Sequence, residues 1–258
     1  MRNYDEETRA RVSWIAGQLS ESKTKGIVFG NSGGKDSALV GILCKMATEN
    51  VLGVVMPCES AQNYSSDKHH AELLAQQFNI ETSLADLTSA KRALMAELEK
   101  VSPPSTIEGL ASNNINPRLR MTTLYALAQS RGYLVAGTGN QSEYFTGYFT
   151  KWGDGAYDIN PIADLLAGEV LDFLKHLGAP EEIIGKPPSA GLYEGQTDET
   201  DMGVSYNTID KFISTAEATP KDKEIIMKMH NNTAHKRRPP LMYDGRITNP
   251  ITRAIQSI

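Results

Sequence analysis

The chain has 258 residues, of which 40% are hydrophobic and 22% are charged, and this length and composition suit a globular α/β protein with a sizeable core. Lys and Arg number 26 and Asp and Glu 31, so the net charge is −5. A mildly acidic chain is a poor candidate for non-specific nucleic-acid binding. The sequence contains no apolar run of the length of a membrane span.

Cys44 and Cys58 are the two cysteines of the chain. They are too few to form a zinc site alone, and their spacing is not Cys-x-x-Cys. Their number leaves a disulfide open, but Cys44 lies in an apolar helical stretch, where a buried free thiol is the ordinary state. Low cysteine content and the lack of a secretory signal favour a reducing cytoplasm.

The apolar residues alternate between helical and strand patterns along the first 139 residues. Val12, Ile15, Ala16 and Leu19 recur at helical spacing, which predicts an amphipathic helix over 5–20. The pattern then predicts, in chain order, strand 25–30, helix 36–48, strand 51–57, helix 65–78 with a Ser or Asp cap, strand 80–87, helix 89–101, a loop over 102–116, helix 118–131 and strand 133–139. This alternation predicts an α/β fold, a Rossmann-like doubly wound parallel sheet with helices on both faces.

Polar segments follow three of the predicted strands. They are GNSGGKDS (30–37), PCESAQNYSSD (57–67) and GTGNQSE (137–143). Ligands on parallel sheets bind beyond the carboxyl ends of the strands, and all three segments have that position. We therefore expect them to form one site.

The segment 30–37 differs from the Walker phosphate loop, G-x-x-x-x-G-K-[ST]. Phe29 stands five residues before Gly34, where the Walker loop has Gly, and Asp36 follows Lys35 where Ser or Thr is required. Small residues between a strand and a helix N-terminus still favour an anion site, and Asp36 can hold Mg²⁺ against phosphate. The alternative is a plain tight turn, because glycine pairs are frequent in such turns.

SGGKDS (32–37) resembles the S-G-G-x-D-S loop of the ATP pyrophosphatases, which cleave ATP between its α and β phosphates and leave AMP on an acceptor. Further segments are similar to those of NAD synthetases, in the same order, over about residues 5 to 245: NPRLRMTTLYALAQ, GTGNQSEYFTGYFTKWGDGAYDINPIADL, KPPSAGL, QTDETDMGVSY and HKRRPP. By this resemblance the chain is identified as a member of the ammonia-dependent NAD synthetases. The resemblance implies an adenine nucleotide alpha hydrolase-like fold in a single domain over 1–258.

The implied reaction is the ATP-dependent amidation of deamido-NAD to NAD by ammonia, through an adenylylated carboxylate, with release of AMP and pyrophosphate. The resemblance also implies Mg²⁺ as cofactor, ATP as co-substrate and a homodimer. The acidic net charge and the lack of a long apolar run predict no nucleic-acid or membrane partner. A separate amidase domain that releases ammonia from glutamine has no room in 258 residues, so we expect ammonia as the direct nitrogen donor. Two alternatives stay open: another ATP pyrophosphatase, such as a tRNA-modifying enzyme, and a catalytically weak regulatory protein on the same fold.

The resemblance assigns residues to each ligand. Those implied in ATP binding are Gly30, Asn31, Ser32, Gly33, Gly34, Lys35, Asp36, Ser37, Thr138 and Ser189. Those implied in deamido-NAD binding are Arg118, Lys151, Asp158, His235 and Lys236, and those implied in Mg²⁺ binding are Asp36 and Glu143. The plainer interpretations are a solvated charge for Glu143, a turn residue for Thr138 and surface charge for the basic residues.

The surroundings of the site give further expectations. Tyr144, Phe145, Tyr148 and Trp152 can stack on the nicotinate ring or belong to the core, and Phe149 and Trp152 are expected to anchor Lys151.

One position departs from the family, because Ala167 stands where a Lys commonly contacts ATP. We expect Lys35 to compensate for that missing cation. The polar segment from residue 186 is rich in Pro and Gly, and we expect the loops 58–66 and 190–204 to order over bound ligand.

Overall fold

The computed structural model describes residues 2–59, 66–102, 107–186 and 198–243. Within these ranges the strands are β1 (Gly26–Gly30), β2 (Val51–Val55), β3 (Glu81–Leu84) and β4 (Tyr133–Ala136). They form one parallel sheet in the order β3-β2-β1-β4, in which Ile27 of β1 pairs with Val51 of β2 and with Leu134 of β4. The strand order reverses between β1 and β4, and in open parallel sheets ligands bind at such a reversal.

The helices precede, connect and follow these strands. They are α1 (Tyr4–Ser22), α2 (Lys35–Ala47), α3 (Lys68–Phe78), α4 (Thr88–Val101), α5 (Leu110–Asn113), α6 (Ile115–Arg131), α7 (Gln141–Thr146), α8 (Ala167–His176), α9 (Glu181–Ile184), α10 (Asp198–Met202), α11 (Tyr206–Thr215) and α12 (Pro220–Asn232), with a short 3-10 turn at Ala234–Lys236. In the described part of the chain, no helix combines the length and the apolar character that crossing a membrane requires.

Alternate residues of the central strands enter two hydrophobic cores, one on each face of the sheet. Ile27 and Phe29 of β1 belong to a core with α1, α2 and α8, whereas Val28 of β1 and Val54 of β2 belong to a second core that α6 covers. Successive side chains of a strand point to opposite faces, so both faces of the sheet are covered. The predicted doubly wound α/β fold is confirmed.

Both cysteines are buried free thiols. Cys44 lies in α2, and burial raises the pKa of its thiol to about 12. The expected buried thiol is confirmed.

Three predicted strands are two or three residues too long at their carboxyl ends. β4 ends at Ala136 because Gly137 N donates to Ile159 O over 2.8 Å, outside the four strands. Beyond β3, Leu87 N still donates to Pro57 O over 2.9 Å, but the regular ladder has ended. The polar residues of the three segments begin where the ladders end.

The predicted loop over 102–116 contains α5 and the first residues of α6, which begins at Ile115 instead of Arg118. Pro117 lies in the first turn of α6. The helix continues through it because the nitrogen of a residue in a first turn has no intrahelical hydrogen-bond partner to lose.

Residues 198–243 are largely helical, which was not predicted from the sequence. α11 and α12 pack against α7 through Phe145, whose ring centroid lies 6.2 Å from that of Phe212 and 4.4 Å from that of His230. Residues 198–202 of the predicted loop 190–204 form α10. Residues 60–65 and 190–197 of the two predicted loops lie outside the described residues.

Candidate active site

The turn between β1 and α2 has the geometry of an anion-binding loop. Gly33 has a φ of +66°, and a Cβ there would clash with the carbonyl oxygen of Asp67, so a glycine is required. Gly34 is the extended N-cap of α2, and no described side chain caps the helix. The free N–H groups of a first helical turn are suitable donors to phosphate.

Two hydroxyl groups complete the loop. Ser32 Oγ lies 3.0 Å from Ser37 Oγ, and Ser37 Oγ donates to Gly34 O over 3.0 Å. Gly34 N donates to Ser32 Oγ over 3.3 Å. These contacts hold both hydroxyls beside the helix N-terminus.

Asn140, at the start of α7, joins the two carboxylates that were predicted to bind metal. Its side-chain oxygen accepts from Glu143 N over 3.0 Å, and Glu143 Oε2 accepts from Asn140 N over 2.9 Å, which forms a capping box. The side-chain amide of Asn140 donates to Asp36 Oδ1 over 3.0 Å. Asp36 follows β1 and Glu143 follows β4, so both lie where the strand order reverses.

The protein environment favours the neutral forms of these acids. Burial raises the pKa of Asp36 to about 6, although the hydrogen bond from Asn140 opposes this shift. Burial, and then the charge of Asp36, raise the pKa of Glu143 well above its ordinary value. Tyr206 donates to Asp198 Oδ2 over 3.2 Å, and burial together with the charges of Glu143, Asp198 and Asp36 raises the pKa of its phenol. A cation placed here would stabilise the ionised carboxylates.

The donor set of Asp36 and Glu143 fits Mg²⁺. Carboxylate oxygens are hard ligands, and Mg²⁺ is usually bound by one or two carboxylates together with substrate phosphates and water. Both side chains line the same cavity as the phosphate loop. Because Glu143 lines this cavity, the plainer interpretation of it as a solvated charge at a helix start does not fit its position.

A cavity of about 800 Å³ opens at the carboxyl ends of the strands. This volume is in the range of ligand-binding sites in proteins. Its walls include residues from all three polar segments: Gly34–Ser37, Pro57 and Asp67, and Gly137–Asn140 with Glu143. The fold thus brings the three segments to one cavity.

Most residues predicted to bind ATP line this cavity, namely Gly30, Asn31, Ser32, Gly34, Lys35, Asp36, Ser37 and Thr138. Gly33 lies within the same loop. Ser189 lies outside the described residues. Burial lowers the pKa of Lys35, an effect that neighbouring Asp36 opposes. Ala167, the first residue of α8, also lines the cavity, so the departure from the family pattern faces the site.

Of the residues predicted to bind deamido-NAD, Lys236 lines the described cavity. Its Nζ donates to Gly147 O over 2.7 Å and also to Phe149 O, and it lies 5.3 Å from the centroid of the Phe149 ring. Burial lowers the pKa of its ammonium, an effect that Asp154 opposes.

Arg118, Lys151 and His235 form an exposed chain of contacts outside this cavity. Arg118 Nη2 donates to Lys151 O over 3.4 Å, and Lys151 Nζ donates to His235 O over 2.8 Å. Lys151 Nζ also lies 5.2 Å from the centroid of the Trp152 ring. Trp152 therefore anchors Lys151 as expected, whereas Phe149 contacts Lys236 instead.

Asp158 supports β4. Its carboxylate accepts from Val135 N over 2.8 Å and from the hydroxyl of Tyr125 over 3.2 Å. It is exposed and does not line the described cavity. Its role toward deamido-NAD stays a prediction.

The four aromatic residues divide into two pairs. Phe145 and Tyr148 pack against the core formed by α11 and α12. Tyr144 and Trp152 are 44% and 51% exposed, and the Tyr144 ring stacks on that of Phe149 with a centroid separation of 6.0 Å. Tyr148 also lines the cavity and can meet a ligand there, whereas Tyr144 and Trp152 are placed to meet a ligand or a partner from outside.

Arg120 was not predicted as a site residue from the sequence, yet it lines the cavity, and its Nε donates to Met56 O over 3.1 Å. Burial lowers the pKa of its guanidinium. Arg118 and Arg120 are two residues apart on α6 and therefore point in directions that differ by about 200°. This spacing allows only one of them to face the cavity, but it does not indicate which.

Asp154 is a second cavity residue that was not selected. Its Oδ1 accepts from Thr150 N over 3.0 Å, and the surrounding protein raises the pKa of its carboxyl. It lies in the GDG part of the segment that carries the family resemblance, which was the available signal.

Known proteins are similar to this chain in sequence. The sequence model of the family described as NAD synthase matches residues 7–240. The NH(3)-dependent NAD(+) synthetase of Carboxydothermus hydrogenoformans is 44% identical over 92% of this chain and 97% of that protein, and that of Alkaliphilus oremlandii is 44% identical over 89% and 93%.

Solved structures show the same relationship. The NMN synthetase from Francisella tularensis has a TM-score of 0.89 and 34% identity, covering 95% of this chain and 100% of that one. The NH3-dependent NAD synthetase from Campylobacter jejuni has a TM-score of 0.73 and 28% identity, covering 94% and 100%. With this family match over most of its length, the chain belongs to the NAD synthase family.

Proposed function

We propose that this enzyme amidates the nicotinate carboxylate of deamido-NAD with ammonia, consuming ATP and releasing AMP and pyrophosphate. The observation that carries the proposal is one cavity lined by the phosphate loop, by Asp36 and Glu143, and by Lys236. The curated relatives named NH(3)-dependent NAD(+) synthetases support the same reaction.

The phosphate loop suits cleavage of the α–β bond of ATP. A carboxylate is a poor electrophile because it is anionic and resonance-stabilised, so it must be activated before ammonia attacks. Transfer of AMP to the carboxylate gives a mixed anhydride, and pyrophosphate leaves toward Gly33, Gly34 and the N-terminus of α2. The N–H groups and the hydroxyls of Ser32 and Ser37 stabilise the developing charge there. Ammonia then displaces AMP.

Asp36 and Glu143 are the residues that would hold Mg²⁺ in this proposal. Bound Mg²⁺ supplies positive charge against the phosphates of ATP. The contribution of the chain itself is made by Asn140, which contacts both carboxylates and keeps them on one wall of the cavity.

Asp154 is suited to receive a proton from the nitrogen donor. Ammonium must lose a proton before it can act as a nucleophile, and a carboxylate with a raised pKa is a better base than an ordinary one. Asp154 lines the cavity, the surrounding protein raises its pKa, and Lys236 and Arg120 are the cations whose charges oppose that rise.

We further propose that two copies of the chain form the active enzyme and that deamido-NAD reaches the exposed face carrying Arg118, Lys151 and His235. Deamido-NAD has two phosphates, and Arg118 and Lys151 offer positive charge beyond the cavity of one chain. Trp152 adds exposed apolar surface beside them. Light scattering on the purified protein should give the mass of two chains, and a fully active species with the mass of one chain would contradict the proposal.

Turnover tests the reaction directly. Purified protein is mixed with Mg-ATP, deamido-NAD and ammonium, and pyrophosphate, AMP and NAD are measured. We expect equal amounts of all three, and only when deamido-NAD is present. ATP binding without any NAD would favour the weak regulatory protein, and AMP formation that depends on tRNA would favour the tRNA-modifying alternative.

A second candidate substrate is nicotinate mononucleotide, whose amidation gives NMN. Two observations favour it. The NMN synthetase from Francisella tularensis has a TM-score of 0.89, against 0.73 and 0.75 for two NAD synthetases. In addition, Arg118, Lys151, Asp158 and His235 do not line the described cavity of the single chain, and a mononucleotide would not need to reach them.

The two candidates are separated by direct competition. Both acids are offered together at equal concentration with Mg-ATP and ammonium, and NAD and NMN are quantified. The ratio of the products equals the ratio of the two kcat/KM values. An excess of NAD supports the first proposal, and an excess of NMN supports the second.

A further inference from the structure

Lys186 lies against the phosphate loop, directly after the α9 region. Its Nζ donates to Gly33 O over 3.1 Å and to Asp67 Oδ1 over 2.8 Å. The side chains of Lys186 and Asp67 are only 12% and 10% exposed. Lys186 also lines the cavity together with Gly34–Ser37. A cation is therefore held at the loop that is proposed to receive pyrophosphate.

The geometry of Asp67 favours a role for this ion pair at the site. Asp67 directly precedes α3 and has helical backbone angles (φ −66°, ψ −44°). One of its carboxylate oxygens accepts from Lys186, so the side chain is directed toward the phosphate loop. Burying an ion pair carries a desolvation cost that mutual attraction often fails to offset. Stability alone thus gives a poor reason for this arrangement.

The other cations of the cavity are engaged elsewhere. Among the described residues, the Lys and Arg side chains that line it are Lys35, Arg120, Lys186 and Lys236. Arg120 reaches the carbonyl of Met56 after β2, and Lys236 reaches the carbonyls of Gly147 and Phe149 on another wall. Lys35 and Lys186 are therefore the cations next to the phosphate loop.

Lys186 has donor capacity left for a ligand. An ammonium group has three N–H donors. Within the described chain its hydrogen-bond acceptors are Gly33 O and Asp67 Oδ1. The third N–H can donate to an anion in the cavity, and because that N–H is charged, the resulting hydrogen bond to phosphate would be a strong one.

We propose that Lys186 binds the terminal phosphates of ATP and that Asp67 is the counter-ion with which the ammonium pairs before ATP arrives. The inference rests on the proposed function for the identity of the nucleotide. The simpler alternative is that Lys186 and Asp67 act only as a clip that shapes the loop.

The test is equilibrium binding of Mg-ATP by calorimetry, with no acceptor substrate present, to Lys186→Met, Lys186→Arg, Asp67→Asn and the Lys186→Met/Asp67→Asn double variant. Lys175→Met is the matched control, because Lys175 carries the same charge on α8, is 53% exposed in its side chain and pairs with Asp172. Thermal unfolding of each variant establishes that it is folded.

We expect Lys186→Met to weaken Mg-ATP binding by about tenfold or more, Lys186→Arg to recover most of this loss, and Lys175→Met to stay within about twofold of the parent. Asp67→Asn alone should leave the affinity for Mg-ATP unchanged or increase it, because the substitution frees the ammonium. The same substitution in the Lys186→Met background should increase the affinity less. A clip predicts the opposite sign, with Asp67→Asn weakening binding as Lys186→Met does.

The proposal is overturned if Lys186→Met binds Mg-ATP within about twofold of the parent, or if Asp67→Asn and Lys186→Met weaken binding equally. If Lys186→Met does not fold, two other results decide the proposal. They are the direction in which Asp67→Asn changes Mg-ATP affinity and the affinity of Lys186→Arg for Mg-ATP. Turnover by the parent is measured separately. A parent that binds ATP but makes neither NAD nor NMN refutes the proposed function, and the binding comparison still decides the role of Lys186.

Discussion

The side-chain amide of Asn140 donates a hydrogen bond to Asp36 Oδ1 over 3.0 Å, and the two residues are 104 positions apart in the sequence. Asn140 follows β4 and Asp36 follows β1, which are adjacent strands in the sheet. Asn140 also forms the capping box with Glu143. One side chain thus fixes the relative position of both carboxylates proposed to hold Mg²⁺.

Asn140→Ala should lower kcat/KM by about 10²-fold, because small displacements of catalytic groups have effects of that size. It should also cost about 1 kcal/mol of stability through loss of the helix cap. The measurements are steady-state kinetics over a range of Mg²⁺ concentrations and denaturant unfolding. Gln141→Ala, at the next residue, is the control and should retain activity. If the Mg²⁺ concentration for half-maximal activity is the same in Asn140→Ala and the parent, Asn140 does not position the carboxylates.

The raised pKa of Asp36 predicts a pH dependence. Its folded value is about 6, above its ordinary value of 3.8, so the folded chain binds this proton more tightly than the unfolded chain. The free energy of unfolding of the ligand-free protein should therefore receive a contribution from Asp36 that falls as pH rises from about 4 to about 6. Denaturant unfolding across this interval, in the parent and in Asp36→Asn, measures that contribution as their difference.

Mg²⁺ binding should have the opposite pH dependence and strengthen as pH rises, because the metal requires the ionised carboxylate. With limiting Mg²⁺, we expect activity to decline below about pH 6, and saturating Mg²⁺ should move this decline to lower pH. Profiles of kcat/KM against pH at two Mg²⁺ concentrations test this expectation. An acid decline at the same pH in both profiles would show that Asp36 is not the titrating metal ligand.

Gly33→Ala should destabilise the protein by more than about 1 kcal/mol and weaken ATP binding at least tenfold. The physical reasons are the positive φ of Gly33 and the clash of a Cβ with Asp67 O. Gly17→Ala is a matched control, since Gly17 lies in α1 and a Cβ there meets nothing within 4 Å. The control should be neutral or more stable by up to about 1 kcal/mol. Thermal melts with and without Mg-ATP report both effects, and equal ATP binding by the two variants would argue against the loop as the phosphate site.

Lys35→Ala should raise the KM for ATP by about tenfold, as expected of a charge-assisted phosphate contact. Lys35 lines the cavity beside Asp36, while Ala167 contributes no charge. Lys175→Ala removes an exposed charge of the same sign on α8 and should leave this KM unchanged. An unchanged KM in Lys35→Ala would refute the idea that Lys35 compensates for Ala167.

Lys236→Met should raise the KM for the nicotinate nucleotide about tenfold or more, because Lys236 lines the cavity. Lys151→Met is the comparison variant for the exposed face, where Lys151 Nζ donates to His235 O. If a dinucleotide crosses to that face, both variants should impair its use. If the site takes a mononucleotide, Lys236→Met alone should have an effect, so initial rates of both variants with both acids also bear on the choice of substrate.

The amino-acid sequence by itself determined the order of strands and helices up to β4, apart from the short helix α5, as well as the covered faces of the sheet and the phosphate loop. These features follow from local patterns: apolar periodicity, buried strands, and small residues placed between a strand and a helix. The convergence of three polar segments could also be predicted, because the carboxyl ends of parallel strands share one edge.

Only the tertiary structure decided which side chains enter the cavity. It placed Arg120 inside and Arg118 outside, although both lie on α6, and it paired Asp67 with Lys186 across 119 positions of the sequence. It also folded the polar segment after residue 198 into helices that pack on α7. These outcomes depend on contacts between residues far apart in sequence, and local periodicity and capping preferences carry no information about such contacts.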